Sequence, residues 1–349
     1  MIPTVHAANH ARKTAGQTAR RRAIQGAFTL LAITVGLAGA QESSPPACVV
    51  SQSLDDAWWT GPIVAPSAAT LSRGHFLIEP YIYDVIVQGL YDSDGVRRSA
   101  THANGVRSHT YILYGLADRV SVGLTPMAGY NMVSGGPSSS GVGLGDVTLQ
   151  VRYRLTQFHE GSSVPMTSLG VQETFPTGKY DRLGNRPSDG IGSGAYTTTL
   201  GFYSQRYFWL PNGHILRMRF DLSEALSNTV KVEDVSVYGT GAGFRGKARP
   251  GRSFFFDAAS EYSLTRNWVL ALDVTYRHNG NTPVIGYSIL DPMHNLEMNS
   301  GPRDAFGLAP AIEYNWSRNL GVIFGTYVIA AGRNTSATIT PVVAINLVH

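Results

Sequence analysis

The sequence predicts an all-β fold: a closed antiparallel transmembrane β-barrel of about twelve strands, with long extracellular loops and short periplasmic turns. Three observations carry that expectation. Large apolar residues recur at every second position in segment after segment from about residue 74 onward. The connections between these segments alternate between long and short. Charged residues make up only 15% of the chain, against about 25% in an ordinary soluble domain, yet no later segment is continuously apolar for the ~18 residues that a transmembrane helix needs.

The N-terminus reads as an address. Arg12, Lys13, Arg20, Arg21 and Arg22 precede an apolar stretch from Ala23 to Ala38, and Ala38-Gly39-Ala40 offers a small-residue cleavage site. This is the pattern of a secretory signal peptide over residues 1–40. The formal charge of +4 belongs to it: cleavage after Ala40 leaves 23 basic against 24 acidic residues. No basic stripe remains to grip phosphates, so nucleic acid is excluded as a partner. The single cysteine, Cys48, cannot form an intrachain disulfide and lacks a lipoprotein-like context. Residues 41–72 read as an irregular periplasmic segment, because Pro45, Pro46, Pro62 and Pro66 resist regular structure. Its adjacent indoles, Trp58 and Trp59, suit a lumen plug, a membrane interface or docking on the barrel wall.

The barrel is expected over residues 73–349. Its strands are placed at 74–90, 104–116, 120–132, 144–157, 166–176, 195–209, 214–226, 252–263, 268–279, 303–316, 320–331 and 336–348. In each, alternate side chains point to opposite faces. Leu216, Met218, Phe220 and Leu222 alternate with Arg217, Arg219 and Asp221; Phe306, Leu308 and Ile312 alternate with small or polar residues. The long connections are 91–103, 133–143, 177–194, 227–251 and 280–302. Trp209, Trp268 and Trp316 each sit beside a short turn and are expected to form one aromatic girdle at the headgroup level. Pro80, Pro126, Pro310 and Pro341 fall inside strands and each removes a ladder donor, so bulges or shifted boundaries are expected there.

Four stretches resemble a known family. Thr70 through Val85 (TLSRGHFLIEPYIYDV), Tyr114 through Leu124 (YGLADRVSVGL), Gly143 through Leu155 (GLGDVTLQVRYRL) and Phe175 through Asp181 (FPTGKYD) are similar to an outer-membrane barrel family named for the MetA pathway of phenol degradation. The resemblance spans about residue 70 to the C-terminus. It implies the outer membrane of a Gram-negative bacterium and uptake of small, often aromatic or hydrophobic molecules. It brings no catalytic residues. Such barrels usually end in an aromatic residue that signals to the barrel assembly machinery; this chain departs from that in ending Asn346-Leu347-Val348-His349.

With the apolar faces toward lipid, a polar set turns into the lumen: Glu79, Tyr81 and Tyr83; Arg107, His109 and Tyr111; Gln150, Arg152 and Arg154; Arg217, Arg219 and Asp221; then Asp257, Glu261, Asp273, Arg277 and Glu313. Two roles compete for these residues, cross-lumen pairing that fills a narrow barrel and the lining of a selective path. Arginines on the fourth and seventh strands and carboxylates on the eighth to tenth suggest a field across the lumen. The tyrosines offer ring faces to an aromatic solute. Catalytic and metal chemistry find little support. Ser108 and His109 are neighbours on a strand and point to opposite faces. No histidine pair has metal-ligand spacing, Gly141, Gly143 and Gly145 open no phosphate loop, and Asp181, Asn185 and Asp189 lack Ca²⁺-loop spacing.

The sequence therefore supports a passive channel or transporter for a small hydrophobic or aromatic solute, seated in outer-membrane lipid, with no cofactor and no metal. The alternatives are an outer-membrane enzyme acting on lipid or surface molecules, and a closed-lumen structural or surface-binding barrel.

Overall fold

The protein, described from a computed structural model, is defined over residues 51–349. The expected signal peptide, Cys48 and the first residues of the 41–72 segment lie outside the described residues. Among the described residues the fold is all-β, and no helix is long and apolar enough to cross a membrane.

Twelve antiparallel strands close into a barrel. They are β1 (Phe76–Tyr91), β2 (Ala103–Ala117), β3 (Val120–Thr125 continued by Met127–Val133), β4 (Val147–Thr156), β5 (Met166–Phe175), β6 (Thr197–Trp209), β7 (Ile215–Ser227), β8 (Ser253–Ser263), β9 (Trp268–Asn279), β10 (Arg303–Ser317), β11 (Leu320–Arg333) and β12 (Thr335–Val348). Each pairs with its neighbours in chain order, and β12 returns to β1 from Leu77↔Val348 to Tyr91↔Thr335. Closure removes the free sheet edge that lipid would not tolerate.

Each strand lies within a few residues of its expected span, because a period of two over eight or more residues leaves little freedom of register. The outward faces carry the apolar belt: Ile82, Leu124, Val151, Leu169, Phe220, Leu270, Leu308, Phe324 and Ile345 are all exposed. Trp268 and Trp316, 43% and 54% exposed, pack against Tyr314 between them, with ring centroids 4.6 and 5.2 Å away.

The prolines behave differently from expectation. Only Pro126 interrupts its strand. Register is unchanged across Pro80 (Ile78↔Leu347, Tyr81↔Ala344) and across Pro310 (Leu308↔Val328, Ala311↔Gly325), and Pro341 simply faces Thr326. The bulges fall elsewhere, at Val87/Gly89, Gly115/Ala117, Arg154/Thr156, Phe306/Gly307 and Asn315/Ser317. A proline whose missing N–H points at one neighbour costs that single bond and need not shift the ladder.

The long loops are more ordered than their composition suggests. Residues from 227–251 and 280–302 form a four-stranded antiparallel sheet of Val230–Glu233, Phe244–Ala248, Pro283–Ser288 and Asp291–Asn299. Val230, Val232, Phe244, Ala248 and Val284 bury one face, with Tyr180 and Tyr238 against it. The loop 177–194 is pinned to this sheet and to the 133–146 region. Asp146 accepts from the Gly178 N–H (2.9 Å) and from the Ser193 N–H and hydroxyl (both 2.7 Å). Two of the resembling motifs, GLGD and FPTGKYD, thus meet at one carboxylate. Asp181 accepts from the Glu233 N–H (3.1 Å) and Asp189 from the Ser140 N–H (2.7 Å), so the carboxylates of that loop turn to separate partners.

The loop carboxylates give the outer end an acid sensitivity. The Arg245 guanidinium and the Gly243 N–H hold Asp234 below its ordinary range; Lys231 and then Arg182 do so for Glu233; the Ser140 N–H does so for Asp189. Depressed carboxylates contribute stability that is complete above their unfolded values and is lost as pH falls through the folded ones. Hydrogen exchange of the folded protein should therefore show the loop-sheet amides losing protection below about pH 4, while the barrel amides stay protected. Equal protection of the loop sheet at pH 7 and 3 would contradict this.

Candidate functional site

The barrel lumen is occupied at its short-turn end by the chain itself. At the mouth, the Gln52 N–H donates to Gly213 O (2.8 Å), the Trp58 N–H donates to Arg266 O (3.0 Å), and Asp55 and Asp56 pair with Arg318 and Arg266. The segment then enters the lumen, reaches its deepest point near residues 63–66 and comes back. Thr70 donates to Asp118 O (2.8 Å), and the Leu71 N–H donates to the Ser121 hydroxyl (2.8 Å), just before β1 begins. Residues rich in Pro, Ala and Ser form no strand here, so their backbone N–H groups need side-chain acceptors once buried.

The wall formed by β7–β10 supplies them. Glu313 Oε2 accepts from the N–H groups of Thr60 (2.7 Å) and Gly61 (3.0 Å). Asp273 accepts from Ile63 (3.1 Å) and Ala65 (3.0 Å), one carboxylate oxygen for each. The opposite polarity is met as well: Arg219 donates to Ala65 O (2.6 Å) and Arg152 to Ser67 O. Arg217 and Arg219 share Glu261, Arg217 through two nitrogens and Arg219 at 3.1 Å, and Trp59 lies under the Arg217 guanidinium, 4.6 Å from its ring centre. Gly61 takes φ +126°, and a Cβ there would stand 3.2 Å from Arg219. At Gly321 a Cβ would sit 2.0 Å from the Thr60 hydroxyl, so the wall is bare where the segment presses on it.

The expected field across the lumen is not what these charges make. Arg217 and Arg219 face Glu261 on the adjacent strand, with Arg217↔Glu261 direct register partners, so the charges close locally. Asp221 and Asp257 stand opposite each other on the same pair of strands, fully buried, and neither carboxylate has a hydrogen-bond partner among the described residues.

The facing wall is aromatic. Tyr81 and Tyr83 stack (5.5 Å, 11° between planes), Tyr111 meets Tyr81 edge-on (5.6 Å), and His109 meets Tyr83 edge-on (5.5 Å). Tyr81, Ala309, Ile323 and Val342 pack with Ile63 into one buried cluster inside the barrel. Between the segment and this wall lies a cavity of about 330 Å³, lined among others by Trp59, Leu77, Glu79, Tyr81, Tyr111 and Leu113. Gln150, Arg152, Gln172, Arg217, Arg219 and Asn346 are among its polar and charged lining residues. Arg107 lies farther out, bonded to Asn131 and to Tyr130 O, and Arg277 covers the Phe255 ring at 4.3 Å. Arg154 is half-buried at the short-turn end, where its N–H donates to Arg119 O (2.9 Å).

Trp209 stands apart from the expected girdle. It shares the inward parity of Tyr203 and Tyr207, and its indole N–H donates to Gln52 O (2.8 Å). Sequence reading assigned no acceptors to the lumen segment, whose partners lie more than 200 positions away along the chain. The available signal was the run of inward glycines on β11, Gly321 and Gly325, spaced for a close neighbour.

The carboxylate contacts generate a test. Asp273→Ala together with Glu313→Ala removes the acceptors of four backbone donors, at about 1–3 kcal/mol for each buried donor left unmatched. The double variant should still fold as a barrel but raise single-channel conductance. Unchanged conductance would show that the segment is held by other means.

A family profile described as "Putative MetA-pathway of phenol degradation" matches residues 87–340. No curated protein matches the chain. Among solved structures, the COG4313 outer membrane channel from Pseudomonas putida F1 superposes with a TM-score of 0.61 at 14% identity, covering 82% of this chain and 100% of that chain. The transport unit of the autotransporter AIDA-I from Escherichia coli gives 0.45 at 10% identity, covering 79% of this chain and 90% of that one. The Pseudomonas putida toluene transporter TodX gives 0.39 at 12%, covering 84% and 94%. The first of these likenesses supports the outer-membrane barrel fold. The family match runs from β1 into β12 and covers most of the barrel, and the chain accordingly belongs to the family named for the MetA pathway of phenol degradation.

Proposed function

We propose that this protein is a passive outer-membrane channel for small hydrophobic or aromatic solutes, with residues 51–75 as a plug in its periplasmic half. The observation that carries the reading is the lumen cavity, in which aromatic and aliphatic side chains such as Trp59, Leu77, Tyr81, Tyr111 and Leu113 stand beside convergent polar and charged groups, the mixture found in sites for small organic molecules. Its size suits a molecule of one or two rings. Tyr81 and Tyr111 offer ring faces and edges to such a solute, with Tyr83 stacked behind Tyr81, and Gln150, Arg152 and Asn346 fix its polar end. Family membership agrees with this solute class. In this reading the chain reaches a Gram-negative outer membrane through its N-terminal signal peptide and the barrel assembly machinery, residues 73–349 form the barrel, and passage needs neither cofactor nor catalytic step. The remaining inward residues, Glu79, Arg107, His109, Arg154 and Arg277 among them, line the route on either side of the constriction.

The packed cluster around Ile63 and Tyr81 favours a second reading, a barrel whose lumen stays shut. Uptake separates the two. Vesicles containing the purified barrel should take up phenol and toluene faster than a sugar of similar mass, and Tyr81→Ala should alter the aromatic rate severalfold while leaving the barrel folded. Absence of solute flux, with no ion conductance in planar bilayers, would favour the closed barrel.

A further inference from the structure

The ladder between β1 and β12 carries two prolines, Pro80 and Pro341. In an antiparallel pair, the N–H and C=O of one residue point to one neighbour and those of the next residue to the other. Phe76 and His349 exchange both bonds, at 2.9 Å each, so the even-numbered residues of β1 face β12. Pro80 and Asp84 share that direction. The register places Pro80 against Ile345 and Asp84 against Pro341. The Thr110 N–H, opposite Pro80 on β2, donates to Pro126 O (3.2 Å) and confirms that Pro80 turns away from β2. Both prolines therefore remove donors from the same seam, in rows separated by a single intact one (Ile82↔Val343). A bulge at Val87/Gly89 breaks the ladder again farther out.

The two sides of this seam are equally unusual. On the inside, Leu77, Glu79 and Tyr81 of β1 and Asn346 and Val348 of β12 line the lumen cavity, which backs on the Pro80 row and ends short of the Pro341 row. One side-chain bond clasps the seam from within, Asn346 Nδ2 donating to Glu79 Oε1 (3.0 Å). On the outside, Asp84 lies on the lipid-facing side next to Ile82, which is 53% exposed, and its Oδ1 has no hydrogen-bond partner among the described residues. A carboxylate in the apolar belt is a costly residue, and here it stands in one of the two rows that lack a donor.

We propose that the β1–β12 seam is a lateral outlet, opening at Pro80 and Pro341 so that a hydrophobic solute leaves the lumen cavity into the bilayer. The proposal rests on the channel reading above. A solute that prefers lipid need not cross the packed cluster or displace the whole segment; it needs the seam to part over a few rows, where the backbone has the fewest bonds to lose.

The test locks the seam. In a Cys48→Ser background, Ile82→Cys with Val343→Cys places two thiols on directly paired outward positions, within the range a disulfide can bridge. Intact cells carrying this barrel are given N-phenyl-1-naphthylamine, an aromatic probe that fluoresces on reaching lipid. Folding is checked by the mobility of unboiled samples. The outlet predicts that oxidation slows probe delivery roughly tenfold or more, that a reductant restores it, and that ion conductance in planar bilayers is the same in both states. Pro80→Val with Pro341→Val restores the missing donors without a cross-link and should slow delivery severalfold. Equal delivery by the oxidised and reduced barrels would overturn the outlet while leaving the channel reading intact. Delivery no faster than in cells lacking the protein, in both states, would overturn the channel reading and the outlet with it.

Discussion

The pairing of β12 with β1 is the contact on which the rest of this molecule depends. A chain in lipid has no water to satisfy its N–H and C=O groups, so a sheet must close on itself. Closure creates an inside, and only then does the alternation of each strand acquire two meanings, lipid for Phe220 and Leu308, lumen for Arg219 and Asp257. It also fixes where irregularity is tolerable. Prolines and bulges can be placed in a ladder that is long overall, and β1 and β12 pair from Leu77↔Val348 to Tyr91↔Thr335 despite them.

Within the enclosed space, polar groups are partnered by proximity. A buried Arg–Glu pair gains little unless its remaining donors and acceptors are met. Arg217 and Arg219 meet on Glu261, Arg219 passes its remaining reach to Ala65 O, and Glu313 and Asp273 turn to backbone N–H groups of the N-terminal segment. The segment is thus a substitute solvent for one wall. The opposite wall stacks Tyr81 on Tyr83 and meets Tyr81 with Tyr111. The cavity lies between Tyr81 and Tyr111 on this side and Arg217 and Arg219 on the other.

Much of this was legible in the sequence. The strand positions followed from alternation, as in Leu216 to Leu222, because a buried or lipid-facing row of period two allows one register. The same parity supplied the candidate inward set from Glu79 to Glu313. What escaped was whatever depends on partners distant in the chain. Val230–Glu233 and Pro283–Ser288 are too short to announce a sheet alone, and they are stable only because the two loops pair through Phe244–Ala248. The Pro- and Ser-rich segment after residue 50 has no periodicity at all, and its order comes from Asp273 and Glu313. Trp209 was misassigned because its neighbours on β6, Tyr203 and Tyr207, make an inward aromatic row look like the end of an outward one.

The path of that segment has a topological consequence. Gln52 lies at Gly213 and Gly74 at Gly115, and both contacts are at the short-turn end. Residues 51–75 therefore go in and come out by the same mouth; they do not run through the barrel from one end to the other. A strand threaded through a ring must be present when the ring closes, or the ring must break to admit it. A loop folded in from one side carries no such condition. The barrel can close first and receive the loop afterwards, and the loop can leave again with every rung of the barrel intact, so the order of these two events is set by rates and not by topology.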